Sequence, residues 1–289
     1  MLSIEPKSLS TPKLQAYLQS AIAPRPIAFA STVDAEGRPN LSPFSFFNIF
    51  SSNPPLLVFS PARRVRDNTT KDTLDNVLTV KEVVINVVSY DMVQQVSLSS
   101  TEYPKGVNEF EKAGFTMLAS DLVKPARVAE SPIQMECLVK DVISLGTEGG
   151  AGNLVLCEVV KMHIIEDVLN NDESINQEAL DLVARCGGSY YSRAKPGFFE
   201  IPKPLSTLGI GVDAMPDEVK NSMILTGNDL GMLGNVEKLP SAEDVEAFIK
   251  NISERYPNIK EATHREKHKL AQNYLSYGDV DSAWKILLS

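Results

Sequence analysis

The chain is expected to fold as a mainly β protein with helical additions, an antiparallel barrel followed by helices. Three observations lead there. Apolar runs rich in Val, Ile and Phe recur from Ile27 to Ile165. Few helical patterns separate them, which disfavours the strand–helix alternation of a doubly wound parallel sheet. The composition then changes after Gly187-Gly188, and from Pro216 onward the apolar spacing is helical.

The elements follow in chain order. A short helical pattern, Lys13 to Leu18, comes after the breaker Thr11-Pro12. Strands are predicted over Ile27–Val33 and Asn40–Phe47, joined by a turn from Asp34 to Asn40, and then over Leu56–Ser60. Asp72 to Lys81 places Leu74, Val77 and Leu78 on one helical face, and Asp91 to Ser99 does the same with Val93 and Val96. Val83–Val88 is a strand between these two helices. Ile133–Leu145 and Leu154–Ile165 flank Glu148-Gly149-Gly150-Ala151-Gly152-Asn153, which reads as a hairpin loop. Pro196, Pro202 and Pro204 mark residues 192–206 as a linker. Ser241 to Asp244 resembles a capping box with Asp in place of Glu or Gln, and Val245, Phe248 and Ile249 continue an apolar stripe. Two short helices around Gly278-Asp279 resemble half of a tetratricopeptide hairpin. One copy cannot stack into a solenoid, so it reads as a packing appendage.

The bulk properties narrow the function. A formal net charge of −9 over 289 residues argues against a nucleic-acid surface. No run approaches the roughly 20 apolar residues of a membrane span, and Met1-Leu2-Ser3-Ile4-Glu5-Pro6 lacks the basic and apolar regions of a secretion signal, so a cytoplasmic protein is expected. Cys137, Cys157 and Cys186 have no metal-type spacing; the first two sit in apolar runs, as small buried hydrophobes do. No Gly-rich nucleotide fingerprint or nucleophile elbow is present.

Two segments carry chemistry. Ser42-Pro43-Phe44-Ser45-Phe46-Phe47-Asn48 ends a strand in small polar and aromatic residues, which offers hydrogen bonds beside flat apolar surface. Lys71-Asp72-Thr73 sits where a loop enters a helix, with Arg63, Arg64 and Arg66 just upstream. Cations at a helix N-terminus suit a phosphate, although the same pattern also fits a basic surface loop.

In order and spacing these segments resemble the flavin reductase-like family, and the resemblance covers roughly residues 20 to 235. Further matching stretches are Tyr103–Phe115, Arg127–Pro132, Cys157–His163, Arg185–Tyr190 and Asn221–Leu230. The resemblance implies an FMN-binding split β-barrel over residues 21–191, after an arm of residues 1–20. Residues 192–240 are then a linker and family-like extension, and 241–289 the helical appendage. It implies that Ser45, Phe46, Phe47 and Asn48 line the flavin, that Ser60, Lys71, Asp72 and Thr73 hold its polar tail, and that Arg63 contacts the phosphate. Arg25, Tyr190 and His163 take positions near the flavin, His163 where a nicotinamide would stack. FMN rather than FAD is implied, with NADH or NADPH as donor and a homodimer as the assembly. Two other functions stay open: an electron carrier reduced by a protein partner, and a non-enzymatic interaction protein.

Overall fold

The computed structural model describes residues 1–201 and 208–289, so the linker prolines Pro202 and Pro204 lie outside the described residues. The chain divides into two compact units, Met1–Phe199 and Glu200–Ser289.

The first unit is built on one antiparallel sheet. Its strands are β1 (Ala28–Val33), β2 (Pro39–Phe44), β3 (Phe47–Ser52), β4 (Pro55–Phe59), β5 (Glu82–Asn86), β6 (Ile133–Ser144) and β7 (Asn153–Ile164). They run in the order β2-β1-β5-β6-β7-β4-β3. The edge strands β2 and β3 are consecutive in the chain and are separated only by Ser45 and Phe46. At about 3.8 Å per residue, Phe44 and Phe47 can be no more than about 11 Å apart. In a flat seven-stranded sheet the two edges would be about 29 Å apart. The sheet must therefore curl into a barrel, with β2 and β3 facing each other across an unpaired split. The single strand expected over Asn40–Phe47 is thus two strands. β2 pairs with β1 through Phe44, whereas β3 begins its pairing with β4 at Phe47.

Side-chain alternation fills the barrel. Ala28, Ala30, Phe44, Phe59, Ile85, Cys137, Val155 and Cys157 meet in one core that also takes Leu74 and Val77 of α2 (Asp72–Thr79). On the other side of β1, Ile27 and Phe29 pack with Leu41 and with Val96 and Phe110 of α3 (Val93–Leu98) and α4 (Glu109–Ala113). β1 is consequently buried along its whole length. Burial pushes the Cys137 thiol up to about 12, which leaves it an inert apolar filler. A buried polar network ties α2 to the β1–β2 hairpin: Asn40 donates to Thr32 (3.1 Å) and Thr73 (2.9 Å), and Asn76 donates to Thr32 (3.0 Å).

The second unit is helical. Its principal helices are α5 (Gly227–Gly234), α6 (Ala242–Ile252), α7 (His264–Ser276) and α8 (Val280–Leu287). Capping boxes open the first three, at Thr226/Asp229, Ser241/Asp244 and Thr263/Glu266. Trp284 is fully buried and donates its indole N–H to the Leu233 carbonyl at 3.0 Å. Met215, Val219, Leu225 and Leu233 share one core with the helices after residue 241. Contacts therefore group residues on the two sides of the sequence-based boundary at 240. No helix among the described residues is long and apolar enough to cross a membrane.

Candidate functional site

At the barrel split lies a groove of roughly 420 Å³, a size that suits a small-molecule ligand. Three segments form its walls. The split itself contributes Phe44, Ser45 and Phe46; the loop after β4 contributes Ser60 and residues 62–66; and Lys71 opens α2. Gln15 and Gln19 of α1 (Thr11–Ala21) and Glu102 complete the perimeter.

The loop is held by its own arginines. Arg63 donates to the Asn68 side-chain oxygen and carbonyl, both at 2.6 Å. Arg64 donates to Thr69 Oγ1 (2.9 Å), to the Thr70 carbonyl and to Glu102 (3.3 Å), and Arg66 also pairs with Glu102. Asn68 has a positive φ of 58°, a conformation Asn tolerates, and it turns the loop back onto itself. Glu102 is thus shared by Arg64 and Arg66, and Arg66 also pairs with Asp67 (3.1 Å). Among the described residues Arg63 has no carboxylate partner, and the Lys71 ammonium makes neither ion pair nor hydrogen bond. Lys71 Nζ lies 5.3 Å from the centroid of the Phe44 ring. Burial, helped by the nearby Arg64 charge, lowers the Lys71 pKa, and Glu102 partly opposes this. An ammonium left unpartnered in a half-buried position is costly, so its place invites an anion.

The two serines add hydroxyl donors. Ser60 Oγ accepts from the Asn153 backbone N–H at 3.1 Å, and Ser45 Oγ accepts from Arg25 Nε at 3.3 Å. Each keeps its own O–H proton free of any acceptor among the described residues. Gly152 permits the first arrangement, because a Cβ there would stand 2.7 Å from Ser60 Oγ.

The structure thus gathers Ser45, Phe46, Ser60, Arg63 and Lys71 at one groove and places the other expected residues around it or away from it. Arg25 is buried and committed. Its guanidinium caps the carbonyls of Gln19 and Ile22 (2.8 Å) at the end of α1, and reaches the Cys186 carbonyl (3.2 Å) and Ser45. It positions Ser45 from behind. Thr73 is buried with its hydroxyl engaged by Asn40, so it braces the α2 terminus. Asp72 follows Lys71 in the first turn of α2. Phe47 and Asn48 lie on β3, past the groove wall, and Tyr190 is exposed just before Tyr191–Arg193, the second strand of a small hairpin. Sequence reasoning favoured Arg63 over its neighbour Arg64, and it passed over Glu102, Gln15 and Gln19. The four-residue spacing of the two glutamines was a usable signal for one helix face; Glu102 had none.

His163 lies elsewhere. It is ten residues along β7 from Asn153, roughly 30 Å of extended strand from the groove end. Its Nε2 meets Glu136 Oε1 at 2.7 Å. Glu136, fully buried, also accepts from the backbone N–H groups of Asp121 (2.9 Å) and Leu122 (2.6 Å). Burial by itself would raise the Glu136 pKa; the Asp121 N–H, His163 and the Leu122 N–H together hold it below the usual value. Asp121, Glu136 and His163 have ligand-type atoms within 4.8 Å of one another, but Lys161 already supplies the cation that balances Asp121.

Comparison with known proteins matches residues 20–185 to the family described as flavin reductase like domain. An uncharacterized protein of Halalkalibacterium halodurans is 37% identical over 194 residues, covering 66% of this chain and 92% of that protein. The crystal structure of nitrilotriacetate monooxygenase component B from Bacillus cereus aligns with a TM-score of 0.64 at 30% identity, over 70% of this chain and 98% of that one. The 2-nitrobenzoate 2-nitroreductase of Pseudomonas fluorescens shares the fold, with a TM-score of 0.64 at 24% identity, over 73% of this chain and all of that one.

Proposed function

The chain belongs to the flavin reductase-like family, and from that premise we propose that it is an FMN-dependent oxidoreductase that takes hydride from NADH or NADPH. The observation that carries this reading is the pairing, in one groove, of the partnerless Lys71 ammonium with the aromatic surface of Phe44 and Phe46. A phosphate fits Lys71, Arg63 and the Ser60 hydroxyl, and an aromatic ring with a polar edge fits the two Phe side chains and Ser45. Bound flavin supplies the two-electron chemistry. The chain's own residues hold and orient. Arg25 fixes Ser45, the Asn40–Thr32–Asn76–Thr73 network fixes the start of α2, and the Asn68 turn fixes Arg63. No side chain in the groove needs to act as a nucleophile.

A homodimer is part of the proposal. Ile49 and Phe50 are exposed on β3, the edge strand that follows Phe46, and a second copy would cover them. Dependence on a reduced nicotinamide suits a cytoplasmic address. The likeness to a protein named as component B of a monooxygenase favours a separate partner component as the electron acceptor.

The test is the visible spectrum of the purified protein, before and after anaerobic NADH and NADPH. Bleaching of the flavin bands by one of them supports the reading and names the donor. Bound flavin that neither nucleotide bleaches would move the protein to the electron-carrier class. Failure to take up added FMN would remove the cofactor altogether.

A further inference from the structure

We propose that Gln15 and Gln19 are specificity residues that hydrogen-bond the neutral part of the flavin, its polyol linker and ring edge; this rests on the flavin reading above. The argument starts from how α1 is turned. A helix normally docks by an apolar stripe, with its polar face in water. α1 does the reverse. None of its residues is fully buried, and Leu14, Gln15 and Gln19 are its only half-buried ones. Tyr17 and Leu18, together with Ile22 just beyond the helix, remain exposed at 43%, 55% and 66%. Two amides thus take the inward positions that apolar side chains would ordinarily fill. Among the described residues neither amide makes a side-chain hydrogen bond, although both line the groove.

The ends of α1 show how it lies along the groove. Thr11 packs beside Gly150, next to Val65 of the cationic loop. At the other end, Arg25 clasps the Gln19 and Ile22 carbonyls while touching Ser45. Eleven residues at about 1.5 Å each give roughly 16 Å, so the helix runs from the phosphate end to the strand break. Gln15 then stands opposite the middle of the groove and Gln19 near Ser45. A primary amide carries both donors and an acceptor, so it can serve hydroxyls and a heterocyclic edge alike. It adds no charge and cannot replace the cations that face the phosphate.

The experiment compares FMN with riboflavin, which lacks the phosphate, in fluorescence-quenching titrations of the full chain. Q15L and Q19L should each weaken both ligands by the same factor, roughly two- to tenfold, and leave the FMN-to-riboflavin affinity ratio at the wild-type value. K71M should collapse that ratio. Gln variants that bind both ligands as the wild type does, or that lose FMN alone, would overturn the inference while leaving the flavin reading intact. A wild-type protein that binds neither ligand would overturn both. Leucine is as good a helix former as glutamine, and Q15M and Q19M, which keep an unbranched side chain and add neither charge nor N–H donor, provide the same readout if a leucine variant does not fold.

Discussion

Two charged places in the barrel unit make opposite use of burial. At the split, Lys71 is drawn into a half-buried position and given an aromatic ring but no counter-charge. On β6, Glu136 is fully buried and given two backbone N–H groups and the His163 ring. The second place is complete without a ligand. The first is complete only with one. In the sequence, the strand histidine and the lysine at the helix start both read as site residues. The hydrogen-bond inventory separates them, because a polar group whose partners are all supplied by the fold has a structural role.

The largest effect expected from this contrast is on stability. Glu136→Ala leaves two backbone N–H groups and His163 without their carboxylate partner, at a cost of roughly 3 kcal/mol, about 1 kcal/mol for each of the three lost hydrogen bonds. Urea unfolding would measure the loss, and FMN affinity of the folded fraction should not change. A stable E136A protein would mean that the buried carboxylate is not the brace described here. Lys71→Met should behave in the opposite way. FMN binding weakens by about 2 kcal/mol, the value of a charge-assisted phosphate contact. The unfolding midpoint holds or rises, since an unpaired ammonium has been removed. If K71M lost stability and kept its FMN affinity, the two places would have exchanged roles.

Acid sharpens the comparison further. The Glu136 carboxyl titrates lower in the folded chain than in the unfolded one, so its contribution is fully present above the unfolded value near 4.5. It is lost as pH falls through the folded value. The stability difference between wild type and E136Q should therefore shrink below about pH 4, and a difference that stayed constant with pH would count against the linkage. His163→Leu gives the smallest change, about 1 kcal/mol for one lost hydrogen bond. The rate of flavin bleaching by the nicotinamide donor should stay at the wild-type value. A large fall in that rate would return His163 to the reaction.

Much of the fold was legible along the chain, because periodicity and capping are short-range effects. The strands of the hairpin β6–β7 fall within a residue of their expected limits, with the Gly-rich loop between them. The Ser241–Asp244 box caps α6 as its spacing implied. The cationic loop before α2 was also visible, since its arginines and Lys71 are near neighbours in sequence.

What only the tertiary structure decided involves distant partners. The break at Ser45-Phe46 follows from ring closure of the sheet, which joins its two edges and has no local pattern. Arg25 could be assigned only when α1, Ser45 and Cys186 converged on it, the last from 161 residues away. Thr73 became a brace through Asn40, and His163 became a structural residue through Glu136. The sequence alone determined which side chains could bind an anion or an aromatic ring. Whether each was left free to do so depended on whether folding supplied a partner first.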